Sequence, residues 1–276
     1  MFKPYADILA GELAYSGSSA EFKQDPVAIG AVGGSGTRVV ADFLERAGIV
    51  MATPMNKSLD AMEWPPMDKI LAPELLSRFP REQLLSNAFN GLERLLLLRQ
   101  MNLDRLGRGG WKVPGTHLWL EELADYFPAL QYVHLIRNGL DMAYSPNRQQ
   151  AQRWAHEVDP ALETDPNREP SPAATLEYWL SANERAIQVG RDRLGDRFLL
   201  LRFEGLVAEP RDQIDRLMDF LGLEPSPAER EQMAATIRRP ATVGRYSRFP
   251  WREHFSPAQL QRLAALGYHP AEERAP

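Results

Sequence analysis

The chain has no cysteine, which excludes disulfides, thiolate metal sites and cysteine nucleophiles. Histidine is scarce, five in 276 residues, and no two stand at the spacing of a metal-ligating pair. No segment reaches 18 uncharged apolar residues, and the opening stretch MFKPYADILAGELAYSG has no apolar core of signal-peptide length. A cytoplasmic protein without a transmembrane segment is therefore expected. Positive charge is not in excess. The formal net charge of −5 argues against a nucleic-acid partner, since such proteins are usually basic. There is no internal repeat and no heptad run, so solenoids and coiled coils are excluded.

What remains is an ordinary globular composition, 44% apolar and 25% charged, enough to bury a sizeable core. Apolar runs with little alternation at residues 27–32, 131–136 and 197–203 read as strands buried on both faces. The shorter GWKV at 110–113 is a fourth candidate. Helical patterns lie between them. Val39, Val40, Phe43, Leu44 and Ala47 share one face, and Gly48 ends that pattern. Further helices are expected over 81–106, 116–126, 172–194, 210–221, 227–236 and 257–266. Strands alternating with helices predict an α/β fold of three layers around a mostly parallel central sheet. No linker divides the chain, so a single domain over 1–276 is expected, with 1–26 and 270–276 peripheral. Residues 146–172 are polar and proline-rich in their second half. They are too long for a simple connection, so either a lid or a disordered insert is expected there.

The first strand runs directly into Gly33, Gly34, Ser35, Gly36, Thr37 and Arg38, and a helix follows. Backbone amides at such a turn, with the positive end of the helix dipole, make an anion site. Glycines let phosphate oxygens come close, and the hydroxyls of Ser35 and Thr37 add donors. A Walker A loop would end in Gly-Lys-Ser/Thr, and this turn has no lysine. A dinucleotide fingerprint would need a third glycine where Val39 stands. The turn is thus either a phosphate grip of another kind or a purely structural one. A second element is IRNGLDMAYS. Its arginine, Arg137, ends a buried strand at the edge where open α/β sheets bind ligands, and Ser145 follows two helical turns on. The planar guanidinium matches a phosphate in two hydrogen bonds and a hydroxyl can add a third; the alternative is a strand-end arginine exposed to solvent. The third element is RRPATVGRYSRFPWR, residues 238–252, with five arginines and no acidic residue. In an acidic chain, such a stretch is either a solvated loop or aimed at a small, multiply charged ligand.

These elements, in this order, resemble the sulfotransferase family that uses 3′-phosphoadenosine 5′-phosphosulfate (PAPS). GGSGTR looks like that family's loop for the 5′ phosphosulfate end, and IRNGLDMAYS like its Arg–Ser grip on the 3′ phosphate. LLLRFEGLVAEPRDQIDRLMDFLGL and VGRYSRFPWREHFSPAQL, with the later LGY, resemble the family's C-terminal third, so that the likeness spans residues 27–268. It implies a P-loop α/β architecture and sulfuryl transfer from PAPS, with no metal required, to a hydroxyl or amine of a small-molecule, glycan or lipid acceptor. Carried over by position, Gly33, Gly34, Ser35, Gly36, Thr37 and Arg38 belong to the 5′ loop, and Arg137 and Ser145 to the 3′ pair. Gly244 and Arg245 match a loop that also reaches the 3′ phosphate, and Phe203 stands where many relatives place a tyrosine against adenine.

One departure matters. Many relatives carry a lysine at the position of Gly34, where it steadies charge on the leaving phosphate. Lys112, in GWKVPGTH, is the candidate to supply that cation. His117 is the nearest candidate base, although Pro114 stands where the cytosolic relatives have their histidine. Asp60 and Glu63 are alternatives. Trp64, Trp119 and Trp154 either border the acceptor or pack the core. Two rival readings stay open: a P-loop kinase of small molecules, which the lysine-free turn disfavours, and an inert nucleotide binder on the same scaffold. Neither the acceptor nor the oligomeric state can be read from the sequence.

Overall fold

Why the apolar runs escape alternation is plain in the computed structural model, which describes residues 25–102, 108–162, 165 and 168–269. Strands β1 (Val27–Gly30), β2 (Val50–Met51), β3 (Gly109–Lys112), β4 (Gln131–Ile136) and β5 (Phe198–Arg202) form one sheet in the order β2-β3-β1-β4-β5. Every pairing is parallel, so helices must cover both faces; side chains on both faces are buried in β1, β2 and β3 and nearly throughout β4, whereas edge strand β5 alternates buried with half-buried residues. Of the expected peripheral ends, residues 1–24 and 270–276 lie outside the described residues, as do 103–106 of the helix expected over 81–106.

The helices are α1 (Thr37–Arg46), α2 (Met67–Ile70), α3 (Pro73–Leu76), α4 (Arg81–Asn102), α5 (Leu120–Tyr126), α6 (Gly139–Ala143), α7 (Gln149–Val158), α8 (Pro172–Val189), α9 (Phe203–Ala208), α10 (Pro210–Leu221), α11 (Pro227–Thr236), α12 (Trp251–His254) and α13 (Pro257–Ala265). Val27, Ile29, Val133, Leu135, Leu199 and Leu201 bury one face of the sheet against α1, α10 and α11. Ala28, Trp111 and Tyr132 turn the other way, into a core filled by α4 and α5. A third cluster, built on Ile136, α6, α7, α8 and the C-terminal helices, closes the β4 side. The expected three-layer α/β architecture with a parallel sheet is the one found. Strand β2 is the one strand that sequence reasoning missed, because two residues give no run to detect.

The segment 146–172 contains helix α7 in its first half, so that half is not a disordered insert. Ala151 and Ala155 are buried, with Trp154 and Val158 packed on the same cluster. Their i, i+3, i+4, i+7 spacing is the helical signal that the segment's proline-rich second half obscured.

Chain direction places the chemistry. From the central β1 the chain first crosses to β2 and β3 on one side, and then to β4 and β5 on the other. The crevice beyond the strands' carboxyl ends, at this reversal, is where such sheets take ligands.

Candidate active site

The loop after β1 is shaped by glycine. Gly34 and Gly36 have φ of 92° and 96°, a left-handed region that residues with a Cβ avoid. At Gly36 a Cβ would also come within 2.5 Å of the Phe203 ring. Gly36 caps α1 without a side-chain bond, and its carbonyl accepts from the Val39 amide at 3.2 Å; the other amides of a helix's first turn are left without intrahelical carbonyls. The Gly33 amide donates to Gln150 Oε1 on α7 at 2.6 Å. Ser35 is 1% exposed and its hydroxyl donates to the Val32 carbonyl at 2.6 Å. It braces the turn from behind and is not an open donor, in contrast to the expectation. Gly33, Gly34, Gly36, Thr37 and Arg38 line a cleft with a volume of about 730 Å³.

Three other strand ends feed the same cleft. Lys112, the last residue of β3, is 3% exposed, and its ammonium donates to the Ser58 carbonyl at 2.7 Å and to Asp60 Oδ1 at 2.5 Å. Burial pulls its pKa below the ordinary lysine value, and the Asp60 carboxylate opposes that pull. Asp60 is held on its other oxygen by Asn56 Nδ2 at 2.8 Å. Arg137 follows β4. Its Nη2 donates to Thr242 Oγ1 at 2.8 Å and its Nη1 to the Gly34 carbonyl at 3.4 Å, while its Nε is buried without a partner. Phe203, at the end of β5, opens α9, and the Arg137 guanidinium carbon lies 4.9 Å from its ring centroid. Arg38, Lys112, Arg137 and Arg238 line the cleft against Asp42 and Asp60, and Asp42 is already paired with Arg46. In a chain of net charge −5, this concentrates positive potential where an anion would enter.

Several expected contacts are made otherwise. Ser145 lies outside the residues lining the cleft; its hydroxyl accepts from the Asn147 amide at 3.3 Å. The hydroxyl on Arg137 comes instead from Thr242, 105 positions along the chain. The Gly244 amide donates to buried Asp141 Oδ2 at 2.8 Å, and the Tyr246 amide to Oδ1 at 3.2 Å. That carboxylate pins the arginine-rich loop to α6, and Arg245 bonds the Tyr144 carbonyl at 3.3 Å. Glu204 accepts from the Asn138 amide at 2.9 Å and from the Tyr268 hydroxyl at 3.1 Å, so it ties the residue after Arg137 to the C-terminal LGY.

His117 sits apart from this chemistry. It is 3% exposed in the 3₁₀ turn Pro114–Trp119, its Nε2 is buried without a partner, and it is not among the residues lining the cleft. Burial, with His134 and Arg185 nearby, holds its pKa well below the usual histidine value. Of the two carboxylates expected as alternatives, Asp60 lines the cleft and Glu63 does not. Trp64, Trp119 and Trp154 meet in a second cleft. Among the described residues, no cluster of three potential metal ligands occurs and no helix is long and apolar enough to cross a membrane.

A model of the sulfotransferase family matches residues 26–227. No curated protein matches the chain. Among solved structures, sulfotransferase STF9 from Mycobacterium avium is 14% identical, with 96% of this chain and 80% of that one covered and a TM-score of 0.56. The sulfotransferase domain from the curacin biosynthetic pathway is also 14% identical, covering 88% and 97% of the two chains, with a TM-score of 0.52. At such identities the likeness concerns the fold.

Proposed function

The chain belongs to the sulfotransferase family, and from that premise we propose that it transfers the sulfuryl group of PAPS to a hydroxyl or amine. One observation carries this reading. The carboxyl ends of β1, β3, β4 and β5 each bring one element, the glycine turn, Lys112, Arg137 and Phe203, to a single cationic cleft. An adenine nucleotide with phosphate at both ends of its ribose calls for such a set.

Bound there, the donor supplies the sulfuryl group and a bisphosphate leaving group; the chain supplies position and charge. The amides of the glycine turn and the first turn of α1 hold the 5′ end, and the Gly33 amide becomes free for it once Gln150 lets go. Arg137, braced by Thr242 and with its Nε unused, holds the 3′ phosphate, and nearby Arg245 adds to the positive field there. Phe203 offers its ring to the adenine. Two of the three N–H groups of Lys112 are engaged, so one is left for charge growing on the leaving oxygen. Asp60, in the cleft beside Lys112, takes the acceptor's proton, a role that buried His117 is not placed to fill.

The test is transfer of label from radiolabelled PAPS to a panel of hydroxyl and amine acceptors, with magnesium and with a chelator. Transfer in chelator supports the reading. Phosphate transfer from ATP that needs magnesium would mean a kinase. Tight binding of adenosine 3′,5′-bisphosphate with no transfer to any acceptor would mean an inert binder, the rival that the lysine-free Gly34 favours.

A further inference from the structure

The loop that carries Asp60 is specified more closely than a simple connection requires. Met55 and Ala61 pair as an antiparallel bridge and close residues 56–60 at the neck. The Ala61 amide donates to the Lys112 carbonyl at 2.9 Å, which fixes the neck to the end of β3. Inside the loop, the Asn56 amide donates to the Asp60 carbonyl at 3.0 Å and the Leu59 amide to the Asn56 carbonyl at 2.9 Å. Leu59 has φ of 60°, and among the described residues no other residue but glycine has positive φ. A leucine holds that conformation only where its surroundings impose it. Here its side chain packs, as Met55 does, against the main core. The strained residue stands between Ser58 and Asp60, the two residues that Lys112 bonds.

Asn56 organises this loop from within. Its Oδ1 accepts from the Ser58 amide at 2.8 Å and from the Asp60 amide at 3.0 Å. Its Nδ2 donates to Asp60 Oδ2 at 2.8 Å. The carboxamide has one sensible orientation: turned over, its NH2 would face two N–H groups and its oxygen a carboxylate. A loop cap alone needs only Oδ1. The arm to Asp60 is an addition, and it bears on Lys112. An ammonium beside an untethered carboxylate is drawn to both its oxygens, and with the Ser58 carbonyl that would use all three of its N–H groups. Asn56 holds Oδ2, and Lys112 bonds Oδ1. One N–H of the ammonium is thereby kept out of the pair.

We infer that Asn56 is the positioning residue of the Lys112–Asp60 pair, which it keeps from closing on itself so that one Lys112 N–H stays available to the leaving oxygen. The inference rests on the sulfuryl-transfer reading, with Asp60 as the base. In that reaction the acceptor atom forms its bond to sulfur and the S–O bond to the donor phosphate breaks. The acceptor's proton passes to a lone pair of Asp60 that neither Asn56 nor Lys112 occupies; a carboxylate has about four such sites. Negative charge then fades on Asp60 as it grows on the leaving oxygen, and the spare N–H is where Lys112 meets it. Asn56 touches no reacting atom. Its contribution is the arrangement of the two residues that do.

The experiment measures transfer of label from radiolabelled PAPS to 2-naphthol and hexylamine in chelator, and affinity for adenosine 3′,5′-bisphosphate by calorimetry, in the full chain. Asn56→Ser keeps an oxygen under the loop amides but lacks the arm to Asp60. Transfer should fall about 30-fold, the worth of one hydrogen bond to a charged group. Bisphosphate affinity should stay within about twofold of the parent, which also shows that the variant folds. In a Lys112→Met background the same change should cost less than about threefold, because a residue that acts through the pair has nothing left to position. Asn56→Asp keeps the whole loop cap but sets a carboxylate against Asp60, and should do no better than Asn56→Ser. Recovery in Asn56→Asp would make Asn56 a loop cap and overturn the inference. So would equal losses in both backgrounds, the parent's rate in Asn56→Ser, or bisphosphate affinity falling as far as transfer. A parent that binds the bisphosphate and transfers no label would instead remove the sulfuryl-transfer reading, and this role with it.

Discussion

Replacing Lys112 with methionine keeps most of the side chain's length and removes its charge. In folding, the effect should be small. The ammonium is buried beside a carboxylate that is itself 26% exposed and bonded to Asn56. The desolvation of a buried cation and its attraction to a partner nearly cancel. Asp60 keeps its second partner and some water, so the loss should be about 1–2 kcal/mol, mostly the bond to the Ser58 carbonyl. In catalysis the effect should be large. If Lys112 meets charge that grows only as the S–O bond breaks, its loss removes a donor from the transition state, worth roughly 10²–10³ in kcat. Affinity for the bisphosphate product should move far less, because only differential binding alters the chemical step. Burial draws the lysine's pKa down, so the parent should lose activity on the alkaline side below the ordinary lysine range. That limb should be absent from Lys112→Met. The assay is single-turnover sulfate transfer across pH, alongside calorimetry with the bisphosphate. Unchanged kcat, or bisphosphate affinity falling as far as kcat does, would refute the reasoning. Putting a lysine back at Gly34 should not compensate. Its φ of 92° strains any Cβ, which would also lie 3.0 Å from Met142 Cε.

Two other perturbations test the frame around that pair. Gly36→Ala must hold a φ of 96° and push aside the Phe203 ring. It should lower Tm by roughly 5 °C and weaken bisphosphate binding about tenfold or more, since Phe203 and Arg137 stack; a variant equal to the parent by calorimetry and melting would contradict this. His134 is fully buried between Asn183 Oδ1 at 2.9 Å and the Tyr132 hydroxyl at 3.2 Å, a neutral arrangement, and burial lowers its pKa to about 4. Below the unfolded value of about 6.5 the unfolded chain takes up a proton that the folded one refuses. Stability should therefore be full above that pH and fall by about 3 kcal/mol between there and pH 4. Buried His117 acts in the same direction. Urea unfolding of His134→Gln should show a shallower loss over that window, and an identical pH dependence would refute the assignment.

How far the sequence discloses this molecule depends on whether a feature is local. The runs that became β1 and β4 could be read because both faces of these inner parallel strands are buried, so their apolar character is continuous, and residues 131–136 match β4 end to end; β5, at the sheet edge, is buried on one face and half-buried on the other. Gly48, with φ of 95°, ends the α1 turn as its position suggested. The cationic elements were visible as residue types, but their partners were not. Thr242 on Arg137, Asp60 on Lys112 and Asp141 under Gly244 come from 105, 52 and 103 positions away, and no spacing rule reaches that far. His117 looked like a base because it stands close to Lys112 in the chain, while the 3₁₀ turn that carries it points the ring inward. Gln150 was hidden in a segment whose prolines drew attention from its helical spacing.

The central claim, that this cleft reads a nucleotide phosphorylated at both ends of its ribose, is tested most directly by calorimetry in chelator with adenosine 3′,5′-bisphosphate and adenosine 5′-phosphate, using the parent and Arg137→Ala. The parent should prefer the bisphosphate. In the variant, bisphosphate binding should weaken by roughly 10- to 150-fold, the worth of a charged hydrogen bond, with the 5′-phosphate hardly affected. Equal loss for both nucleotides, or no preference in the parent, would contradict the account.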